Sequence, residues 1–468
     1  MSVDALAFVR AGTAPLRGRQ RSNSFDEMSK MSILHPDFPL GATSWTLAGL
    51  TARLLWFVGL PGIWLIQVVR MLLFVTILLP AFIPLAVRHF TSPALRHNIP
   101  YGDRSRHMLD VYLPCRRGKL YPPPDARGQP VVVFVTGGAW IIGYKLWAFI
   151  MGKTLSENGV LCVVPDYRNF PEACVGDMVS DVDLALAFVA ANIEDLGGDP
   201  NNITLIGQSA GAHLSILSLL RACISSATEH VAAGKDNCRG GAGRSSPLVN
   251  IRRWVGISGP YDLVKLSPIM HRRGLHRRVV KALASHDLAS HSPTRLCLSL
   301  AEAQASRDAA RAACATQAVA NLVRQRSKHS IAACARTPAP PVIRLHTMLT
   351  ASCHRPQPPL FIFHGLSDAT VPPAFSKELA VALRALRLGD GSCPHVRERY
   401  YAGKSHTDPI LEDPIGGGKD VLITDILSLI RIGEIAPSGD SGESGDAIFL
   451  PQLLPAVLLK FARWFNPF

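Results

Sequence analysis

Three residues able to do acyl-transfer chemistry stand in the order Ser209, Asp368, His406, each just past a stretch that reads as a strand. Ser209 lies in Gly207-Gln208-Ser209-Ala210-Gly211, a G-x-S-x-G sequence between the apolar Ile203–Ile206 and a helical pattern over Ser209–Leu220. Small residues around the serine permit a tight strand-to-helix turn that exposes its hydroxyl at the carboxyl edge of a sheet. The helix starting there directs backbone N–H groups and partial positive charge at the same point. A serine hydroxyl is a weak nucleophile at neutral pH and needs a base that is itself held by an acid. Asp368 follows Leu360–Phe363 and His406 follows Arg397–Tyr401, which is where such a fold carries its acid and base. Taken singly, Asp368 reads equally well as a turn or helix cap, and His406 as a surface loop residue. The three in this order point to a nucleophile, an orienting acid and a general base.

Acyl transfer also needs donors for a developing oxyanion. Thr136-Gly137-Gly138-Ala139-Trp140 follows the Val131–Val135 run, and its backbone N–H groups would complete a hole with the amide of Ala210. The expected carbonyl-binding set is Gly137, Gly138, Ala139, Gln208 and Ala210. The plainer alternative is a close-packed loop that needs glycine for backbone room. His213, one turn into the helix, reads as a packing or capping residue, and His364, within a strand signal, as structural. Asp408 is the fallback acid, although it stands close to His406 in sequence. This chemistry needs no cofactor and no metal.

These residues require a sheet to position them. Short apolar runs at Leu109–Leu113, Val131–Val135, Leu161–Val164, Ile203–Ile206, Trp254–Ile257 and Leu360–Phe363 alternate with helical patterns such as Asp177–Ile193. Arg397–Tyr401 is the last strand expected. Buried strands alternating with helices predict an α/β fold: a mostly parallel sheet covered by helices on both faces. It occupies residues 95–432, with an insertion over 284–356 that reads as a surface excursion or a disordered stretch despite the helix potential of AEAQASRDAARAACATQAVANLVRQ.

The flanks are of a different character. Residues 1–45 are polar and irregular, and 46–90 hold two uncharged apolar runs, Leu54–Val69 and Met71–Val87, separated by Arg70. Each run is slightly shorter than the roughly 20 residues that cross a bilayer. A two-pass hairpin turning near Arg70 and a single long kinked or re-entrant segment both remain open. Arg53, Arg88 and Arg96 flank both outer ends, which the positive-inside tendency reconciles with a hairpin. Residues 433–446 form a Gly/Ser/Asp/Glu linker, and 447–468 are amphipathic, basic and aromatic, as in an interfacial helix or one packed on the domain. The chain's 49 basic and 35 acidic residues leave a formal charge of +14. That balance favours anionic surfaces, and the 48% apolar composition suits a membrane better than nucleic acid, for which no recognition motif is present. The ten cysteines include no C-x-x-C pair, so they signal neither zinc nor a redox motif and suit reduced thiols in a reducing compartment.

The longer stretches VVVFVTGGAWIIGYK, DYRNFPE, GGDPNNITLIGQSAGAHL, RRGLHRR and SHTDPILEDPIGGGKD resemble the plant isoprenylcysteine α-carbonyl methylesterases, which are α/β-hydrolases. The resemblance covers roughly residues 90–296 and 357–432, the apolar region upstream and the C-terminal tail. It implies hydrolysis of the methyl ester on a prenylated C-terminal cysteine at endoplasmic reticulum and Golgi membranes, with the catalytic domain in the cytosol. The substrates would be prenylcysteine methyl esters, free or at a protein C-terminus, met beside membrane lipid. Ser209, Asp368 and His406 would be the triad. Residues 297–356 depart from the family pattern. The competing readings are a broad membrane carboxylesterase or lipid deacylase, and a non-catalytic receptor on the same fold. The presence of His406 counts against the receptor.

Overall fold

The computed structural model describes Gly49 and residues 63–116, 119–120, 128–232, 251–326, 358–387, 392–433 and 448–467. Readings for 1–45, for the rest of 46–62, for 327–356 and for the linker from 434 onward lie outside the described residues. The chain enters along one helix, α1 (Ile63–Thr91). Strands β1 (Leu95–Pro100) and β2 (Met108–Tyr112) follow, then a small ribbon of β3 (Cys115–Arg116) and β4 (Lys119–Leu120). Next come β5 (Gln129–Val135), α2 (Phe149–Glu157), β6 (Leu161–Pro165), α3 (Val175–Asn192), β7 (Gly198–Gln208) and α4 (Ala210–Ala232). Beyond them lie β8 (Ile251–Ile257), α5 (Leu263–Arg272), α6 (Arg277–Leu283), α7 (Pro293–Arg326), β9 (Leu360–Gly365), α8 (Ala374–Ala385) and β10 (Val396–Tyr401). The chain closes with α9 (Glu412–Gly416), β11 (Gly418–Asp420), α10 (Val421–Ile432), β12 (Ile448–Leu450) and α11 (Ala456–Phe465).

Eight strands form one sheet in the order β1-β2-β6-β5-β7-β8-β9-β10. Strands β6 to β10 run parallel, and β1 and β2 complete one edge antiparallel. Parallel strands need crossover helices, and those helices cover both faces, so the inner strands have apolar centres rather than an alternating pattern, while β10 at the sheet edge carries Arg397, Glu398 and Arg399. The two-residue period then sorts side chains between two cores. Val131, Val133 and Val135 join Leu205 and Trp254 on the face covered by α3, α4 and α8. Val132 and Phe134 join Ile206, Phe361 and Phe363 on the face covered by α1, α2 and α10. The elbow after β7 therefore sits at the middle of the sheet, and the loops after β5, β9 and β10 reach the same edge.

Two expectations change. No turn occurs at Arg70: α1 continues through it and through Pro80 and Pro84, so the hairpin reading is corrected to one uninterrupted helix. Arg70 stays inside that helix because its guanidinium donates to the Asn466 carbonyl at 2.9 Å. The start of the supposed insertion is also part of the domain. Ala284, Ser292 and Cys297 are fully buried, and Ser292 Oγ accepts the Leu263 amide at 2.8 Å. Helix α7 packs against α8, and the Gln304 side chain pairs both the amide and the carbonyl of Arg387 at 3.0 and 2.8 Å. A surface excursion beginning at 284 is thus corrected to one that begins no earlier than the outer part of α7. The sparse apolar stripe of this helix concealed the packing, because its first turns enter the core through only Leu296 and Cys297 and are then joined by the polar Gln304.

Candidate active site

Ser209 occupies the turn between β7 and α4 with a positive φ of 51°. A non-glycine residue held there costs about 1–3 kcal/mol, and the surroundings must enforce it. Two backbone bonds do so: the Ser209 amide donates to Ile257 O at 2.8 Å, and its carbonyl accepts His213 N–H at 3.1 Å. The following turn packs so tightly under β5 that a Cβ on Gly211 would lie 2.0 Å from the Val135 carbonyl. The G-x-S-x-G spacing is thereby explained as steric necessity.

The three sequence-predicted residues converge on this elbow. Ser209 Oγ lies 2.9 Å from His406 Nε2, and His406 Nδ1 lies 2.7 Å from Asp368 Oδ2. With Nδ1–H donated to the carboxylate, Nε2 is left to accept the serine proton, which is the tautomer a general base requires. Asp368 is fixed at both oxygens. Its Oδ1 accepts the amides of Thr370 and Val371, each at 2.9 Å, and its Oδ2 also accepts His364 Nε2–H at 3.1 Å. Burial alone would raise this carboxyl, but the facing His406 and His364 rings outweigh it and hold it well below the usual carboxylate range. His364 thus takes part in orienting the acid, a role that its place inside a strand signal disguised. The fallback acid points elsewhere. Asp408 accepts the Ser405 amide at 2.8 Å and pairs with Arg463 at 3.0 Å, and among the described residues nothing joins it to the His406 ring.

The glycine loop after β5 lies against the elbow. A Cβ on Gly137 would meet Gln208 Oε1 at 2.2 Å and Ser209 Cβ at 2.9 Å, so loop and nucleophile are in close contact. Gly138, Ala139 and Trp140 all have positive φ, at 130°, 50° and 62°. Among the described residues the Ala139 and Ala210 amides meet no protein acceptor. Such a strained loop needs bracing, and residues of the DYRNFPE stretch, to which the sequence reading gave no role, supply it. Tyr167 Oη–H donates to Thr136 O at 3.0 Å, Phe170 N–H to Trp140 O at 2.8 Å, and Asn169 Nδ2–H to Gly143 O at 2.8 Å. All three belong to the loop after β6, and the clue was its position at the same sheet edge. Trp140 Nε1–H donates to His213 Nδ1 at 3.3 Å, and His213 Nε2–H to His291 O at 2.7 Å. Burial pushes His213 down to about 3, so it stays neutral and acts as a strut between loop and elbow helix.

One grouping has metal-ligand spacing, formed by His89, His97 and Asp110. Its carboxylate already pairs with the buried Lys145 ammonium, whose charge disfavours a second cation there. The cluster joins the end of α1 to β2 and to the turn that follows the glycine loop.

Behind His406, Glu412 is fully buried and accepts Thr407 Oγ1–H at 2.8 Å and Asn466 Nδ2–H at 2.5 Å. Burial, and secondarily the charge of Asp408, push its carboxyl from an ordinary 4.5 up to about 7. The folded chain therefore keeps a proton that the unfolded chain gives up between those values. This contribution to stability is fully present below 4.5 and is lost as pH rises through about 7. Glu412→Gln should raise the melting temperature at pH 8 and change it little at pH 5. An equal shift at both pH values would assign the effect to packing instead.

A serine on a strained elbow, a histidine and an acid on a parallel sheet define an α/β-hydrolase, here a carboxylic ester hydrolase. The family described as BD-FAE matches residues 109–294. The chain is 34% identical over 429 residues to the isoprenylcysteine alpha-carbonyl methylesterase of Arabidopsis thaliana, spanning 91% of this chain and 82% of that one. It is 31% identical over 455 residues to a probable isoprenylcysteine alpha-carbonyl methylesterase of Oryza sativa subsp. japonica, spanning 97% and 87% of the two chains. Among solved structures, the apo form of Thermogutta terrifontis esterase 2 aligns over 74% of this chain and 97% of its own, at 18% identity and a TM-score of 0.42. The chain belongs to the isoprenylcysteine alpha-carbonyl methylesterase family.

Proposed function

We propose that this chain removes the methyl ester of isoprenylcysteine through an acyl-enzyme on Ser209. The observation that carries the chemistry is the relay Ser209–His406–Asp368, with contacts of 2.9 and 2.7 Å. Ser209 Oγ attacks the ester carbonyl while His406 Nε2 takes its proton. The glycine-loop amides and that of Ala210 receive the oxyanion, with Gly137 and Gln208 packed beside the serine. Collapse of the tetrahedral intermediate expels methanol, protonated by His406. Water, deprotonated by the same histidine, then attacks the acyl-enzyme. The free prenylcysteine carboxylate leaves and Ser209 regains its proton.

The substrate assignment is supported by what the relatives are named for and by the surface near the site. Ile142, Tyr144 and Trp147 follow the glycine loop with exposed side chains, and Leu366 is exposed two residues before the acid. They offer an apolar rim to a prenyl chain. Action at endoplasmic reticulum and Golgi membranes, from the cytosolic side, is part of the same proposal and is supported by the apolar α1 and the basic net charge. Rates on farnesylcysteine methyl ester, on the unprenylated cysteine methyl ester and on a glycerolipid ester test the assignment. The prenylated ester should be preferred in kcat/KM by tenfold or more. Comparable rates on all three would make this a broad esterase.

A further inference from the structure

His406 stands on the loop that follows β10, and both of its chain neighbours are tied to α11. On one side the Ser405 amide donates to Asp408 Oδ2 at 2.8 Å, and Asp408 pairs with Arg463 of α11 at 3.0 Å. On the other side Thr407 belongs to a closed triangle of hydrogen bonds. Its Oγ1 accepts Asn466 Nδ2–H at 2.8 Å and donates to Glu412 Oε1 at 2.8 Å, while Asn466 Nδ2–H also donates to Glu412 Oε1 at 2.5 Å. Thr407 and Glu412 are both buried, so a lost partner there is not replaced by water at no cost. The Arg463 end is different: its side chain is 45% exposed, and an exposed pair of this kind holds little. The grip on the loop therefore falls on the triangle.

Asn466 is the residue after α11, and it is secured from two further elements. Its carbonyl accepts the Arg70 guanidinium of α1 at 2.9 Å. The carbonyl of Pro467 accepts Arg273, whose guanidinium also donates to Ala369 O at 3.1 Å, next to Asp368. Arg273 lies in the RRGLHRR stretch, which the chemistry of the site leaves without a task. Residues 466 and 467 thus reach the base loop directly and the acid loop through Arg273.

We propose that Asn466 is a positioning residue for His406, fixing Thr407 and with it the place at which the imidazole meets Ser209. The role rests on the Ser209–His406–Asp368 relay and is independent of the isoprenyl substrate. His406 Nε2 and Ser209 Oγ are 2.9 Å apart, and a shift of about 1 Å in such a contact costs on the order of a hundredfold in rate. Without Asn466 the Thr407 side chain keeps only Glu412, and the loop loses its link to α11 on that side.

The test follows turnover of p-nitrophenyl acetate by the full chain, since this ester carries no prenyl group. Asn466→Ala and Thr407→Val should each lower kcat by about tenfold to a hundredfold. KM should stay within about twofold, because His406 serves acylation and deacylation alike. Thr407→Ser keeps the hydroxyl and should recover most of the parent kcat. The Asn466→Ala/Thr407→Val double variant should be no slower than the slower single one, since both remove the same link. Leu459→Ala takes buried packing from α11 and leaves the triangle, so it should lower the melting temperature with little change in kcat. Parent-like kcat in Asn466→Ala, no gain of Thr407→Ser over Thr407→Val, or an equal kcat loss in Leu459→Ala would each overturn the proposal. Ser209→Ala assayed alongside keeps the two readings apart. An inactive Ser209→Ala with undiminished Asn466→Ala removes only the positioning role, whereas turnover that persists in Ser209→Ala removes the relay itself.

Discussion

Ser209→Ala should abolish turnover of every ester substrate, by a factor on the order of 10⁵–10⁶ in kcat, and leave the fold intact. The reasoning starts at the elbow. The hydroxyl makes its contact with His406 at 2.9 Å, while the turn itself is held by the backbone bonds to Ile257 and His213 and by the close approach of Gly211 to β5. Alanine preserves all of these and removes only the nucleophile. Its Cβ already exists in serine, so no cavity larger than a hydroxyl results, and the positive φ is no worse for alanine. Melting temperature and circular dichroism should match the parent, and labelling by a fluorophosphonate should vanish. Substantial residual turnover would move the chemistry away from this serine. Absence of labelling in the folded parent would favour a non-catalytic receptor.

Asp368→Asn should lower kcat by about 10⁴. The replacement can still accept the Thr370 and Val371 amides through its oxygen, so the loop keeps its shape. An amide nitrogen facing His406 Nδ1 cannot accept that N–H, so the ring takes the other tautomer and presents a proton, not a lone pair, to Ser209. Nor can the neutral amide stabilise the imidazolium formed during attack. His364 shares its Nε2–H between the same carboxylate oxygen at 3.1 Å and the Val371 carbonyl at 2.8 Å, so in the variant it keeps the second acceptor and the loss falls on His406. Asp408→Asn is the control. Its carboxylate serves the Ser405 amide and Arg463, so it should cost some stability and little turnover. The reverse ranking of the two variants would assign the acid to Asp408.

The candidate site residues were legible in the sequence because each sits just past a strand: the strands before Ser209 and Asp368 announce themselves as apolar runs, and the edge strand before His406 by its place at the end of the series. Ser209 carried the further signal of small neighbours, which the steric contact of Gly211 with β5 now explains. The parts that were not legible depend on contacts remote in sequence. His364 looked like a strand residue because the partner that gives it meaning, Asp368, is reached only after the chain turns. Tyr167 and Asn169 stand in the DYRNFPE stretch, but their bracing of the glycine loop from another crossover is a contact that no local pattern reveals. Residues 284–304 showed no continuous apolar stripe because their attachment is shared between a few scattered apolar residues, Ala284, Leu288, Leu296 and Cys297, and the polar Ser292 and Gln304 bonding to backbone. Arg70 read as a break between two apolar runs, since hydropathy cannot show that a carbonyl at Asn466 awaits its guanidinium. β1 was missed because its sequence, LRHNIP, is that of a sheet edge and carries polar residues.

Rapid quenching during turnover of a farnesylcysteine methyl ester, followed by peptide mass analysis, tests the central claim most directly. The peptide containing Ser209 should carry the mass of the farnesylcysteinyl group, with one equivalent of methanol released in the burst. The adduct should be absent from Ser209→Ala. Methanol release without an adduct on Ser209, persisting in Ser209→Ala, would contradict the account.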